Sequence, residues 1–404
     1  MSLIRTVQLG LLLGLVAACS EGQQTERGEV QRRDSAGIVI IETPGTLARA
    51  PIGWSIGHAP ELQLGSAAGP ESDQFHEIGG RFAGGITALP DGRIVVVNGV
   101  SAELLFFGRD GRFLNRLNKK GNGPGEFRRA YLVPYTSNDS LLIRDTGHTR
   151  YTLFSTDGQM HRSFMPDRPG VMVGTVGGVS ESGIVITALL DAVPLVEGQQ
   201  TRPMVVRWIS MESGRADTVA RFNMHSYFVP DVAGTPIEIP VLFTTSPSAT
   251  VGVQGFFVIG GDTPDIRAFD NTGRLIRIFR VAGAPRPVTP EDVDGAIDFQ
   301  VPRWAPYQSG VRRAYEQMDI PNHWPTFQSV RVDRLGWIWA ELFRTTKDAT
   351  PRWMVFDSSG VARGVVDLPP GFEVQDIGPD QVLGRWLDDL RVEHVRRYRL
   401  ERNR

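Results

Sequence analysis

Short apolar runs rich in β-branched and aromatic residues alternate along the chain with polar turns, and the alternation falls into a recurring module. The module is a strand of β-branched residues, a polar gap, an aromatic strand, a tight turn ending in glycine, and a last strand. It is read at 86–98 with 103–117, at 136–145 with 150–164, at 178–189 with 203–222, at 248–261 with 265–281, and at 327–342 with 352–368. A shorter sixth copy lies at 374–386 with 391–402. Gly111, Gly158, Gly214, Gly273 and Gly360 mark the aromatic-strand turns, where the twist of a hairpin demands a positive φ. Their spacings run from 47 to 87 residues, so the period drifts where loops are inserted.

Runs such as Ile94-Val95-Val96-Val97 are apolar at consecutive positions, which predicts strands buried on both faces, in sheets packed between other sheets. A chain this long exceeds what one continuous core sustains, so it needs two domains or a repeat. Six such units predict an all-β fold, a six-bladed β-propeller over residues 36–404. A pair of β-sandwich domains is the competing reading. The sixth copy has room for three strands. Either Ile38–Ile41, or Trp54–Ile56 with Leu62–Leu64, is expected to add the fourth and close the ring, leaving no exposed edge. Thr289-Pro290-Glu291-Asp292 resembles a helix start, with a further helical stretch at 311–318. These predict a short helical insertion, about 289–320, between blades four and five.

The beginning of the chain reads differently. Arg5 and the apolar run Leu9–Val16 fit a signal peptide over residues 1–18, since such a run is too short to cross ~30 Å of hydrocarbon. Val16-Ala17-Ala18-Cys19 resembles the bacterial lipoprotein box, which implies acylation of the Cys19 thiol. A free thiol beside an ordinary cleavage site is the alternative. Residues 19–35 are polar and aperiodic and read as a flexible tether. Cys19 is the chain's one cysteine, so no disulfide is expected. The expected address is extracytoplasmic, lipid-anchored to the bacterial cell envelope, on a periplasmic or outer-membrane face.

Composition adds exclusions. With 43 basic and 45 acidic residues the net charge is -2, which argues against a nucleic-acid partner. The 45 glycines and 27 prolines are about half as many again as average usage and supply the turns. The seven histidines do not pair at metal-ligand spacing, and no G-x-S-x-G elbow is present. No catalytic residue, metal or cofactor is assigned. Gly121–Gly125 lacks the Lys-Ser/Thr of a phosphate loop and reads as an inter-blade turn, with Glu126 bonding backbone amides and Phe127 in the core. Recurring turn aspartates bond their own backbone. Asp145 and Asp262 follow strands and are the candidates for a channel mouth. Trp304 and Trp324 are the candidates for lining a ligand or partner pocket, whereas Trp337, Trp339 and Trp353 read as core.

Gly121-Asn122-Gly123-Pro124-Gly125-Glu126-Phe127 resembles the G-x-GPGEF signature of bacterial six-bladed β-propeller proteins related to the NHL-repeat group. Pro325 through Trp339 resembles that family's fifth blade, and Leu141–Asp145 with Arg150 and Phe154 its second. The resemblance covers residues 36–402 and implies fold and location more than chemistry. The resulting expectation is a membrane-tethered, monomeric propeller acting as a ligand-binding, protein-binding or scaffold module. Its partner would be an unidentified protein, peptide or glycan. The alternative is a calcium-dependent hydrolase or lactonase with its site in the central channel. That enzyme needs inward Glu, Asn and Asp side chains converging on one point, whereas a binder shows a mixed channel and an aromatic rim.

Overall fold

The structure is a computed structural model. It describes residues 28–403 apart from 80–83, 134–139, 168–173, 180–182, 190–195, 233–234, 253–254, 261–263 and 345–349. Blade one consists of Ile86–Ala88, Ile94–Asn98, Glu103–Phe107 and Phe113–Asn118. Blade two is Ala130–Val133, Ser140–Asp145, Arg150–Ser155 and Met160–Phe164. Blade three is Gly174–Val179, Gly183–Leu189, Gly198–Ser210 and Ala216–Val229. Blades four and five run Ser248–Gly252, Gly255–Ile259, Ile266–Phe269, Leu275–Val281, then Phe327–Val332, Ile338–Leu342, Arg352–Phe356, Ala362–Asp367. Blade six contributes Glu373–Ile377, Gln381–Leu387 and Glu393–Glu401.

The first strands of the blades meet in a closed ring. Leu132 N–H donates to the Gly84 carbonyl at 2.8 Å between blades one and two. The inner strands of blades two and three, three and four, and four and five lie in contact. Arg331 reaches the Gln375 carbonyl at 3.4 Å between blades five and six. Asp376 of blade six accepts from Ala88 N at 2.7 Å and from the Thr87 hydroxyl at 3.0 Å, joining the last blade to the first. The chain is a six-bladed β-propeller with a helical insertion between blades four and five, as the repeat predicts, and not two sandwiches.

What holds the ring is apolar area between blades, since burial contributes roughly 25 cal/mol per Å². Each pair of neighbouring blades encloses its own cluster. Phe106 and Val97 meet Phe127 and Ile143 between blades one and two, and Ile259 and Phe279 meet Phe327 and Phe356 between blades four and five. The turn glycines belong to these interfaces. All five have the positive φ expected of them. At Gly158 a Cβ would also overlap Leu117 of the preceding blade, and at Gly360 it would overlap Phe279. In blades one, two, four and five the pairing register shifts at the phenylalanine four residues before the glycine: Phe107, Phe154, Phe269 and Phe356. That bulge turns the ring of each phenylalanine inward, and all four are buried.

The N-terminal segment resolves the choice between the two closing strands. Leu62–Leu64 and Ser55–Ile56 pair with Glu393–Glu401 and complete blade six. Ile38–Thr43 does not join that blade. It pairs parallel to Leu275–Val281 on the outside of blade four, because Ile41 is an element of the cluster around Phe279. The expected tether also ends sooner than residue 35, since Gln31–Ser35 forms an exposed strand antiparallel to Ile38–Thr43. Between these contacts Ile52 N–H donates to the Val365 carbonyl of blade five at 3.1 Å. Residues 31–64 therefore strap the outer edges of blades four, five and six in turn.

Helices Pro290–Gln300 and Gln308–Gln317 form the insertion. Thr289 and Asp292 make the expected reciprocal cap, with Asp292 N–H donating to the Thr289 hydroxyl at 3.2 Å and Thr289 N–H to the Asp292 carboxylate at 3.0 Å. Their apolar sides, Ile297, Val311, Ala314 and Tyr315, bury against Ile239, Val241, Leu242 and Phe243, which follow the long hairpin of blade three. Two insertions from different blades thus share one core above the ring.

Candidate functional site

The six inner strands surround a cavity of about 1200 Å³ on the propeller axis. Because strands alternate in direction, the links between blades lie at one end of this channel and the turns after the first strands lie at the other. Thr244, Thr245, Phe343 and Arg344 line the first end, beneath the helical insertion. Asp91, Asp333, Arg334 and Asp380 line the second.

The wall is uneven. Blade three presents Val176, Gly177 and Gly178, and blade four presents Ser248, Ala249 and Thr250, so this side is smooth, with small side chains. Gly177 allows the inner strands of blades three and four to approach, since a Cβ there would overlap the Ala249 carbonyl. Blades five and six carry the charge. Glu341 pairs with Arg344 at 3.3 Å, Glu373 with Arg385 at 2.9 Å, and Asp376 with Arg334 at 2.5 Å. Asp333 is met by Arg402 at 2.7 Å.

Arg331 stands apart from this pairing. It lies on the inner strand of blade five between Val330 and Val332, and it lines the cavity. Its hydrogen bond is the 3.4 Å contact to the Gln375 carbonyl, which uses one of five N–H donors. No carboxylate stands at ion-pair distance from it among the described residues. Burial pushes its guanidinium pKa down, and the charges of Glu341, Asp376 and Glu373 offset part of that effect. The exposure it retains is to the enclosed channel, not to bulk solvent. A cation with spare donors in such a place attracts an anion of matching geometry.

Among the described residues no three Asp, Glu, His or Cys side chains gather to hold a metal ion. The carboxylates of the channel are spread around the wall: Asp91, Asp333, Glu341, Glu373 and Asp376 are each engaged by an arginine, and Asp380 stands at the mouth. That donor set suits recognition better than it suits a central cation.

The residues singled out from sequence fall elsewhere. Asp145 is fully buried at the end of the second strand of blade two and does not line the cavity. It accepts from Arg129 N at 3.1 Å, Gly147 N at 3.0 Å and His148 Nδ1 at 2.5 Å. Asn122 closes the same network, its Oδ1 facing His148 Nε2 at 3.0 Å and accepting from Arg128 Nε at 2.9 Å. Asp145 therefore holds the Gly121–Phe127 loop against blade two. Within that loop Glu126 accepts from Gly123 N at 2.8 Å and Phe127 is buried, as expected. Trp324 is also a correction. It is buried under the helices, donates to Asp292 at 3.2 Å and packs 5.7 Å from Phe343, one layer behind the channel wall. Trp304 is half-buried in the same cluster. Cys19 and Asp262 lie outside the described residues.

Arg331 escaped the sequence reading because one arginine between valines resembles any exposed strand position. The available signal was its place in a first strand, whose polar positions face the axis.

Residues 86–155, blade one and most of blade two, match a family described as a 6-bladed beta-propeller. No curated protein matches the chain. A protein from Bacteroides fragilis described as exported is 12% identical, with 90% of this chain and 100% of that one covered and a TM-score of 0.47. A member of the DUF4221 family from Bacteroides vulgatus is 8% identical over 86% and 98% of the two chains, with a TM-score of 0.49. A gluconolactonase from Xanthomonas campestris is 14% identical over 86% and 97%, with a TM-score of 0.38. No helix among the described residues is long and apolar enough to cross a membrane. Residues 86–155 are what this chain shares with a propeller family.

Proposed function

We propose that this chain is a lipid-tethered, extracytoplasmic binding protein that holds a small ligand in the central channel of its propeller. The supporting observation is the cavity itself. It has room for a ligand of ordinary size, a smooth wall on one side, and on the other a wall where Glu341, Glu373 and Asp376 are paired with arginines while Arg331 has no carboxylate partner among the described residues. Carboxylates locked to arginines are poor cation ligands and poor bases, so recognition is favoured over metal-dependent hydrolysis.

The tether and the site are tested separately. Cys19→Ala should move the protein from the membrane to the soluble fraction, and unchanged fractionation would remove the tether from the proposal. For the site, the full chain extracted in mild detergent should carry the added mass of a small molecule in native mass spectrometry. Thr245→Trp, at the helical end of the channel, should abolish that mass. A ligand retained in this variant, or none in either protein, overturns the channel as the binding site.

A further inference from the structure

The proposal above leaves open what the channel recognises, and the chemistry around Arg331 narrows it. Four of its five N–H donors lack a partner among the described residues, and the planar fork they form matches a carboxylate. The charge of the ligand is limited by the neighbours. Glu341, Asp376 and Glu373 are near enough to act on Arg331, and they would repel a second negative charge. A dianion such as phosphate gains one cation and meets three carboxylates, whereas a monoanion is balanced by the guanidinium.

A second feature lies beside it. The inner strand of blade four and the loop leading into it line the cavity with Thr244, Thr245, Ser246, Ser248 and Thr250. Ser248 is tied to the strand of Arg331, its hydroxyl accepting from Val330 N at 3.2 Å. Thr244 donates to the Val241 carbonyl at 2.7 Å and keeps its acceptor lone pairs. Thr245 and Thr250 line the wall with hydroxyls that the described residues leave unbonded. Such a row offers donors and acceptors together, the complement of a ligand that is itself hydroxylated.

We infer that the channel binds a small organic monoanion that carries hydroxyl groups, a sugar acid or related hydroxycarboxylate, with its carboxylate on Arg331 and its hydroxyls along Thr245–Thr250. This rests on the channel being the binding site. An apolar acyl chain would leave the hydroxyl row unsatisfied, at a cost in affinity.

Calorimetry on the full chain in mild detergent tests it, with glucuronate, glucose and inorganic phosphate as probes. Glucuronate should bind at least about tenfold more tightly than glucose, its neutral counterpart, and more tightly than phosphate. Arg331→Gln should weaken glucuronate by about ten- to a hundredfold and leave glucose unchanged. Arg331→Lys keeps the charge without the fork and should fall between them. Thr250→Val, which keeps the shape of the side chain, should weaken glucuronate and glucose together. Equal glucuronate binding by wild type and Arg331→Gln overturns the inference, as does absent glucuronate binding or a preference for phosphate. A natural ligand that Thr245→Trp loses and Arg331→Gln retains leaves the channel as the site and removes only the anion.

Discussion

Arg402 donates to Asp333 at 2.7 Å and stands 4.4 Å from the ring centroid of Trp54. Three distant parts of the chain meet there: the end of blade six, the first turn of blade five and the N-terminal strap. Asp333 is fully buried and also accepts from Trp339 Nε1, Leu335 N and Trp337 N, each at 2.9 Å. Arg402→Ala leaves the carboxylate those three donors but no counter-charge. The variant should lose about 2 kcal/mol of stability, read as a lower denaturation midpoint in urea. An unchanged midpoint would mean that the three neutral donors suffice.

The turn glycines permit a paired comparison. Gly158 and Gly336 have nearly the same φ, +84° and +83°, but a Cβ at Gly158 would overlap Leu117 whereas nothing stands within 4 Å at Gly336. Gly336→Ala should cost about 1–2 kcal/mol for backbone strain alone. Gly158→Ala should cost about 1–3 kcal/mol more, because the neighbouring blade must shift. Equal melting temperatures would show that the interface between blades one and two yields freely at that point.

Ring closure by the strap makes its own prediction. Deleting residues up to Gly65 removes the strands that cover Glu393–Glu401 and should leave an open edge that associates, visible as larger species in light scattering. Deleting only up to Ser35 takes away an exposed strand with no buried side chain and should leave the size of the full chain's species in solution unchanged. A long deletion that forms no larger species than the full chain would contradict closure by this segment.

Tyr151 is the clearest case of a stabilising substitution. It is fully buried, stacks on Phe164 with ring centroids 5.6 Å apart, and its hydroxyl has no hydrogen-bond partner among the described residues. Burial pushes its phenol pKa up to about 12. Tyr151→Phe removes an unsatisfied polar atom with little change in shape and should raise stability by about 1 kcal/mol. A destabilised variant would reveal a partner for that hydroxyl.

Acid should act through the turn aspartates. The hydroxyl of Thr272 and the N–H groups of Thr272 and Arg274 hold the Asp270 carboxyl at about 2, below the usual carboxylate range. A folded-state value below the unfolded one stabilises the protein above the unfolded value, and that contribution is lost as pH falls from about 4 toward 2. Wild type should therefore lose stability across this window more steeply than Asp270→Asn. Parallel pH profiles of the two melting temperatures would place the acid sensitivity elsewhere.

Much of the architecture was open to reading from local pattern. The turn glycines, the consecutive apolar strand positions and the Thr289–Asp292 cap are short-range features, and each describes a conformation its own residues adopt. Gly111 and Gly360 predict the same tight hairpin turn, and the structure gives both the positive φ. The strap was legible only in part. Ile38–Ile41 and Leu62–Leu64 are equally good strands, and the choice of blade depends on which side chains they meet across hundreds of residues. The candidate site was less legible still. Asp145 looked like a channel residue because it ends a strand, yet it binds the neighbouring loop instead, and Trp324 looked like a rim residue but packs behind one.

The repeat, its turns, its helical insertion and the segments available to close it were thus properties of the linear chain, since backbone preference and periodic burial act over a few residues at a time. The partners were not. That Asp376 joins Ala88, that Asp333 receives Arg402, and that Arg331 is left facing the axis with donors to spare all follow from the arrangement of six sheets in a ring. Charge pairing in the channel depends on distances between blades, and those distances exist only once the ring is closed.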